Sequence, residues 1–317
     1  MKLRNILAPV VAGAAAVGGL AWWLSRNGGS IESHLAGENR NWRWREFDVN
    51  FNVAGEGPPL LLLHALYPGA SKEQWENNFS ALAKSFKVFA PDLPGFGLSS
   101  RPAMKYDPSV YKDMIMDFMQ DVVGEPAIVL ASGQTAAFAI EVAAQEPTLI
   151  SRLVLASPTG LTRFANPAPI SQRLMYQWWS LPVVGTLTYH GMVSKRGIAK
   201  VLKAHTVEDP TLITPSMVAG FYKQSHQPGA KWAPIAMFGG LLNDNVKASY
   251  IKLTQPILLL WGEMPSYIPV ADAKEWLNLN SHAVLKTFPD GRLMPELEHA
   301  SKFNSHVQLW AEGKLAA

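Results

Sequence analysis

The sequence of 317 residues contains no cysteine. That excludes disulfides, thiolate metal sites and a thiol nucleophile, but it leaves the compartment open. Charge is scarce as well: charged residues make up 17%, and Lys+Arg 28 against Asp+Glu 25 leave a formal net charge of +3. So weak a balance gives no footing for nucleic-acid binding, which needs Lys and Arg clustered on one face. There is no Gly-x-Gly-x-x-Gly after a strand, no phosphate-binding P-loop and no His-Glu-x-x-His. Nucleotide and zinc chemistry are therefore unsupported, and no cofactor or metal is expected. Internal repeats and low-complexity blocks are also missing. What the chain has is apolar material, 48% hydrophobic with 11 tryptophans, which is ample for a full core in one large domain or two small ones.

No residue between Asn5 and Ser25 is charged, and Lys2, Arg4 and Arg26 bracket the stretch. About 20 apolar residues at ~1.5 Å each cover ~30 Å, the thickness of a bilayer's hydrocarbon core. Trp22 and Trp23 stand where interfacial aromatics belong. Residues 1–26 are therefore expected to be an uncleaved single-pass membrane anchor, with the bilayer as a partner. A cleaved signal peptide is the alternative, and the lack of a small-x-small site after the tryptophans counts against it. Lys2 and Arg4 lean towards an N-in topology with an extracytoplasmic domain, against Arg26, Arg40, Arg43 and Arg45 on the far side.

Residues 27–41 read as a polar linker. From Trp42 onward, strand patterns alternate with helix patterns. Trp42–Phe47 alternates large apolar and charged side chains, Asp48–Ala54 reads as a second strand, and short wholly apolar runs follow at Leu60–His64, Phe86–Pro91, Ala127–Ala131, Leu153–Ala156, Ile257–Trp261 and Val284–Phe288. Helix-length patterns fill the gaps at Trp75–Ser85, Val110–Val123, Gln134–Gln145, Ala271–Leu277 and Glu296–Trp310. Such alternation predicts an α/β fold with a mostly parallel sheet covered by helices on both faces. The series is interrupted at 162–249 by a helical segment rich in proline and aromatics, expected to be an inserted lid between core segments 42–161 and 250–317. Trp178-Trp179 beside Leu181-Pro-Val-Val184 reads either as a lid packed over a pocket or as a face that dips into a membrane.

Four segments in order resemble the α/β-hydrolase superfamily. Leu61-Leu-Leu-His64 is similar to the strand ending in the family's oxyanion turn, and Asp92-Leu-Pro-Gly-Phe-Gly-Leu-Ser-Ser-Arg-Pro102 to the loop after its fourth strand. Ser151-Arg-Leu-Val-Leu-Ala-Ser-Pro158 resembles the strand before the lid, and Pro256-Ile-Leu-Leu-Leu-Trp-Gly-Glu263 the strand before the acid loop. The resemblance implies a serine on a sharp strand-to-helix elbow, followed in chain order by an acid and a histidine. The hydroxyl needs an imidazole base, and the acid holds that imidazole's tautomer.

The sequence departs from the pattern at all three places. Aligned through the following helix, Leu130-Ala-Ser-Gly-Gln-Thr-Ala-Ala137 puts Gly133 at the nucleophile position. Trp-Gly-Glu and a later Pro in register put Pro265 at the acid position, and Phe288-Pro-Asp-Gly-Arg-Leu-Met-Pro295 puts Leu293 at the base position. What the resemblance leaves is a set of binding candidates. The backbone amides of Ala65 and Gln134 hold the places of the oxyanion donors and need no side chain. Ser132 stands one residue before the elbow tip, and His226 in the lid is the one histidine expected to reach the pocket. Glu263 and Asp290 are read as loop charges and His64 as structural. The reading is a hydrolase-fold protein without a Ser-Asp-His triad, acting as a binding or accessory subunit of a membrane complex, with a small apolar ligand and a membrane-protein partner implied. The alternative is a hydrolase of small apolar or lipid-like esters working through a non-standard site built from Ser132, His226 and the two amides.

Overall fold

A computed structural model describes residues 16–315. The apolar runs become the strands of one eight-stranded sheet: β1 (Glu38–Trp44), β2 (Phe47–Ala54), β3 (Pro59–Leu63), β4 (Lys87–Pro91), β5 (Ala127–Ser132), β6 (Ile150–Ala156), β7 (Ile257–Gly262) and β8 (Ala283–Phe288). Their order across the sheet is β1-β2-β4-β3-β5-β6-β7-β8. The first two strands join antiparallel, and β3 to β8 run parallel with β4 among them. β3, β5 and β7 are buried along their whole length because helices cover both faces, which is why they are apolar, but for Ser132 at the end of β5, rather than alternating.

Two apolar clusters lie on opposite faces of the sheet. One holds Leu61, Val129, Leu155 and Leu259, packed under α1 (Pro108–Phe118) and α2 (Thr135–Gln145); the other holds Leu60, Leu62, Val154 and Leu258, packed under the C-terminal helix. The alternation along each strand assigns neighbouring residues to opposite clusters. Between β6 and β7 the lid helices follow: α3 (Ile170–Ser180), α4 (Val184–Met192), α5 (Lys195–His205), α6 (Pro215–Ser225) and α7 (Trp232–Phe238). They close on a small core of their own, with Tyr189, Val193, Ile198, Leu202, Val207 and Ile235. Ser194 and Thr214 cap two of these helices by accepting from the amides of Gly197 and Met217.

Several expected boundaries move. β1 begins at Glu38, inside the stretch read as linker, because backbone pairing with β2 from Glu38 to Trp44 extends the ladder beyond the alternating tryptophans. The helix expected over Trp75–Ser85 is a 3-10 turn (Lys72–Trp75) and a single helical turn (Phe79–Leu82). The last helix breaks at His299 into Pro295–Glu298 and α8 (Ala300–Ala311).

The membrane anchor requires a correction. Among the described residues no helix is long and apolar enough to cross a membrane. Among the described residues, helical backbone occupies 16–24 and gives way to a turn at 25–28. Ala21 within it is buried. The rest of the expected span, residues 1–15, lies outside the described residues. The single-pass localisation and the extracytoplasmic placement drawn from it are not retained.

Candidate functional site

The strand order reverses direction between β3 and β5, and in open α/β sheets ligands bind beyond the carboxyl ends of the strands at such a switch point. Here the loop after β3 brings Ala65 and the turn after β5 brings Gly133. Gly133 has φ +63°, the left-handed region in which a β-carbon crowds the following carbonyl. Both of its backbone groups are held: its N–H donates to the Ala156 carbonyl at 2.9 Å, and its carbonyl accepts from the Thr159 N–H at 3.3 Å. A β-carbon built on Gly133 meets only the Ala65 Cβ, at 3.5 Å, an ordinary van der Waals contact. The turn thus has the shape of a nucleophile elbow and room for a side chain, and it carries a hydrogen there.

The expected donors differ from one another. Gln134 is buried, its side chain donates to the Leu242 carbonyl at 2.7 Å, and its backbone N–H meets no acceptor among the described residues. The Ala65 N–H, expected to be open to a ligand, instead donates to Gln74 Oε1 at 2.8 Å. Gln74 is fixed in turn, because its Nε2 donates to Glu296 Oε1 at 2.7 Å and the Tyr67 hydroxyl approaches its Oε1 at 3.4 Å. Glu296 is fully buried; its second oxygen, Oε2, has no hydrogen-bond partner, and burial pushes its carboxyl up to about 7, against the lowering effect of the Gln74 bond. Gln74 therefore occupies the Ala65 amide and is held by a carboxyl from the far end of the chain. Nothing in the sequence signals this contact, since Glu296 in Pro-Glu-Leu-Glu reads as a solvent-facing helix start.

The remaining candidates are dispersed. Ser132 is buried at the end of β5, and its carbonyl accepts from the Thr135 hydroxyl at 2.9 Å. Pro265 is exposed in the loop after β7. Leu293 packs against the main core, and its N–H donates to the Thr206 carbonyl of the lid at 3.1 Å. The Ser157 hydroxyl lies 3.5 Å from the Leu293 carbonyl, and Ser157 itself adopts φ +44°, rare for a non-glycine residue. Glu263 and Asp290 are exposed loop charges.

Neither of the two histidines singled out from the sequence, His64 and His226, serves the elbow. His64 is fully buried, its Nε2 accepts from the Leu93 N–H at 3.0 Å, and its Nδ1 lies 2.8 Å from the Ala65 carbonyl. That pairing fixes a neutral ring with its proton on Nδ1, and burial holds its pKa down despite Asp92. Both nitrogens are committed, so the ring braces the loop and cannot take a proton. His226 ends α6, where its Nδ1 pairs with the Tyr222 carbonyl at 2.9 Å and its ring stacks on Tyr222 and His190 at 3.8 and 4.4 Å. It belongs to a lid cluster, and its hydrogen bonds and ring contacts are all with lid residues. No group of three or more metal-binding side chains occurs among the described residues.

Comparison with known proteins places this geometry. Residues 58–298 match the family described as alpha/beta hydrolase fold. An uncharacterised protein of Mycobacterium tuberculosis is 24% identical over 234 residues, 70% of this chain and 66% of that protein, so the chain spans just under two thirds of that relative. The 2-hydroxymuconate semialdehyde hydrolase of a Pseudomonas strain is 26% identical over 280 residues, covering 85% of this chain and 92% of that enzyme. Among solved structures, a serine hydrolase involved in carbazole degradation superposes with a TM-score of 0.72 at 20% identity, over 87% of this chain and 99% of its own. That likeness is one of fold over most of the chain. With the sheet order, the elbow after β5 and a family match running from β3 into the final helical segment, the chain belongs to the α/β-hydrolase fold family.

Proposed function

We propose that this chain binds a small apolar molecule bearing a carbonyl or carboxylate over the Gly133 turn, without forming an acyl-enzyme. The observation that carries the reading is the turn itself, which has the backbone of an elbow and no attacking atom. Three surroundings support it. Leu293 and Pro265 offer no proton acceptor or orienting carboxylate, His64 has both nitrogens committed, and the Ala65 amide is occupied by Gln74. Removing nucleophile, base and orienter together leaves only the binding and oxyanion contributions of such a site. The Gln134 amide remains to hold a ligand oxygen.

A second reading is favoured by the relatives. Those with a stated activity include hydrolases of small ring-cleavage products, which speaks for an enzyme rather than an accessory subunit. On that reading the chain hydrolyses small apolar or lipid-like esters at a non-standard site, with Ser132, next to the Gly133 turn in sequence, and the Glu296 carboxyl, bonded to Gln74, as its candidate groups. One experiment separates the two. The purified protein is exposed to a fluorophosphonate probe and to nitrophenyl acetate and butyrate, with Ser132→Ala and Glu296→Gln alongside. The binding reading expects no covalent labelling and no turnover above that of heat-denatured protein. Labelling of any serine, or turnover lost in either variant, overturns it in favour of hydrolysis.

A further inference from the structure

Away from the elbow, the lid and the turn at Ser25 enclose a cleft of about 230 Å³ that no part of the proposed function uses. Its walls include Pro182 and Thr186 beside and within α4, His190 at the end of α4, and Ala230, Lys231 and Trp232 at the start of α7. Two features mark it as a built site rather than a surface dent. Lys231 brings a positive charge into it with no carboxylate within ion-pair distance among the described residues. The sequence before Ala16 contains no Asp or Glu either. The ammonium is held in place by the Trp179 and Leu181 carbonyls at 3.2 and 3.3 Å and the Thr186 hydroxyl at 2.9 Å, and it stands 4.7 Å from the centre of the Trp232 ring. Those neutral partners position the charge without cancelling it. His190 is 5% exposed, and its Nδ1 is buried with no hydrogen-bond partner. An orphaned polar atom of this kind is rare in folded proteins and marks a place where a partner belongs.

We infer that this cleft is a binding site for a small organic carboxylate, its anionic end towards Lys231 and His190 and its apolar part against Trp232, Pro182 and Ala230. One fixed positive charge faces the site, so a single negative charge balances it. A dianion such as phosphate would leave a charge uncompensated in a half-buried place, and a neutral molecule would leave Lys231 unpaired. The volume falls below the roughly 300–1,000 Å³ of sites that take drug-sized ligands, which limits the occupant to a small molecule. Burial holds the His190 ring neutral, so it adds a donor and an acceptor and no second charge. The site is separate from the Gly133 turn, and its occupancy does not depend on whether that turn binds or cleaves anything.

Calorimetric titration of the full chain with acetate, hexanoate and benzoate, beside benzyl alcohol and inorganic phosphate, tests the inference. Benzoate or hexanoate is expected to bind at least tenfold more tightly than benzyl alcohol and than phosphate. Lys231→Gln is expected to lower the carboxylate affinity at least tenfold, and Lys231→Arg to restore most of it. The contrast between benzoate and benzyl alcohol reads the charge on the unaltered protein, so the test stands even where Lys231→Gln fails to fold. No binding of any of the three carboxylates, equal binding of the alcohol, or tighter binding of phosphate overturns it.

Discussion

At the scale of single residues, two glycines with positive φ make opposite demands. A β-carbon on Gly133 (φ +63°) would make only an ordinary van der Waals contact, so Gly133→Ala suffers only the left-handed backbone penalty, about 1–2 kcal/mol, partly offset by a less disordered unfolded chain. Gly97 (φ +52°) faces the Asp92 carboxyl so closely that a β-carbon would overlap it. Asp92 cannot move aside. It accepts from the Lys72 and Leu98 amides at 2.7 and 2.8 Å and pairs with the buried Lys72 ammonium at 3.3 Å. Urea denaturation should therefore show a small loss for Gly133→Ala and a loss several times larger, or no folded protein, for Gly97→Ala. Equal losses would mean that the Gly133 turn is more crowded than its neighbours indicate.

At the scale of elements, the lid is held by rings as much as by aliphatic packing. α4 and α6 meet through His190 and His226, with Tyr222 stacked on His226 and Tyr189 edge-on to His190. Burial pushes His190 down to about 3, with His226 and Lys231 adding to the effect, and burial pushes His226 down to about 4 against the Tyr222 carbonyl bond. Folded pKa values below the unfolded value of about 6.5 mean that these rings fold best uncharged. Their contribution is full above pH 6.5 and is lost as the pH falls from there towards 4. Lid tryptophan fluorescence followed from pH 7 to 4 should reveal a loosening that is reduced in His226→Phe. An unchanged profile in that variant would show that the rings are not what holds the two helices together at low pH.

At the scale of the whole molecule, the two ends of the hydrolase core are tied together through Gln74 and Glu296, 222 residues apart in sequence. Because the folded carboxyl titrates at about 7 and the unfolded one near 4.5, the folded state holds the extra proton between those values. Glu296 thus costs least stability below pH 4.5, and the cost grows as the pH rises through 7. Melting temperatures of the unaltered protein and Glu296→Gln should diverge over pH 5 to 8, the variant gaining relative to the parent as the pH rises. Parallel curves would sink this reading of the buried carboxyl. Contacts of this range are also where sequence reading stops. The buried strands were legible because a run such as Leu60 to Leu63 has no polar side chain to place in solvent, and Gly133 could be located by register with the helix after it. The onset of β1 was not legible, since Glu38 to Asn41 are exposed and polar, and they are held by the backbone ladder and by Asn39 and Asn41 side-chain bonds to Asn50 and Asn52 of β2. Neither was the occupied Ala65 amide, nor the meeting of Lys231 with His190, because each depends on chain closure that local pattern does not encode.

The lid's separate core has a bearing on how the molecule comes apart. Val193, Ile198, Leu202 and Val207 of the lid bury one another in a cluster distinct from that of the sheet, whereas Ala233 and Ala236 of α7 pack into the main core. Loosening of that small core is therefore expected to unseat α4 and α5 while the open sheet beneath keeps its packing.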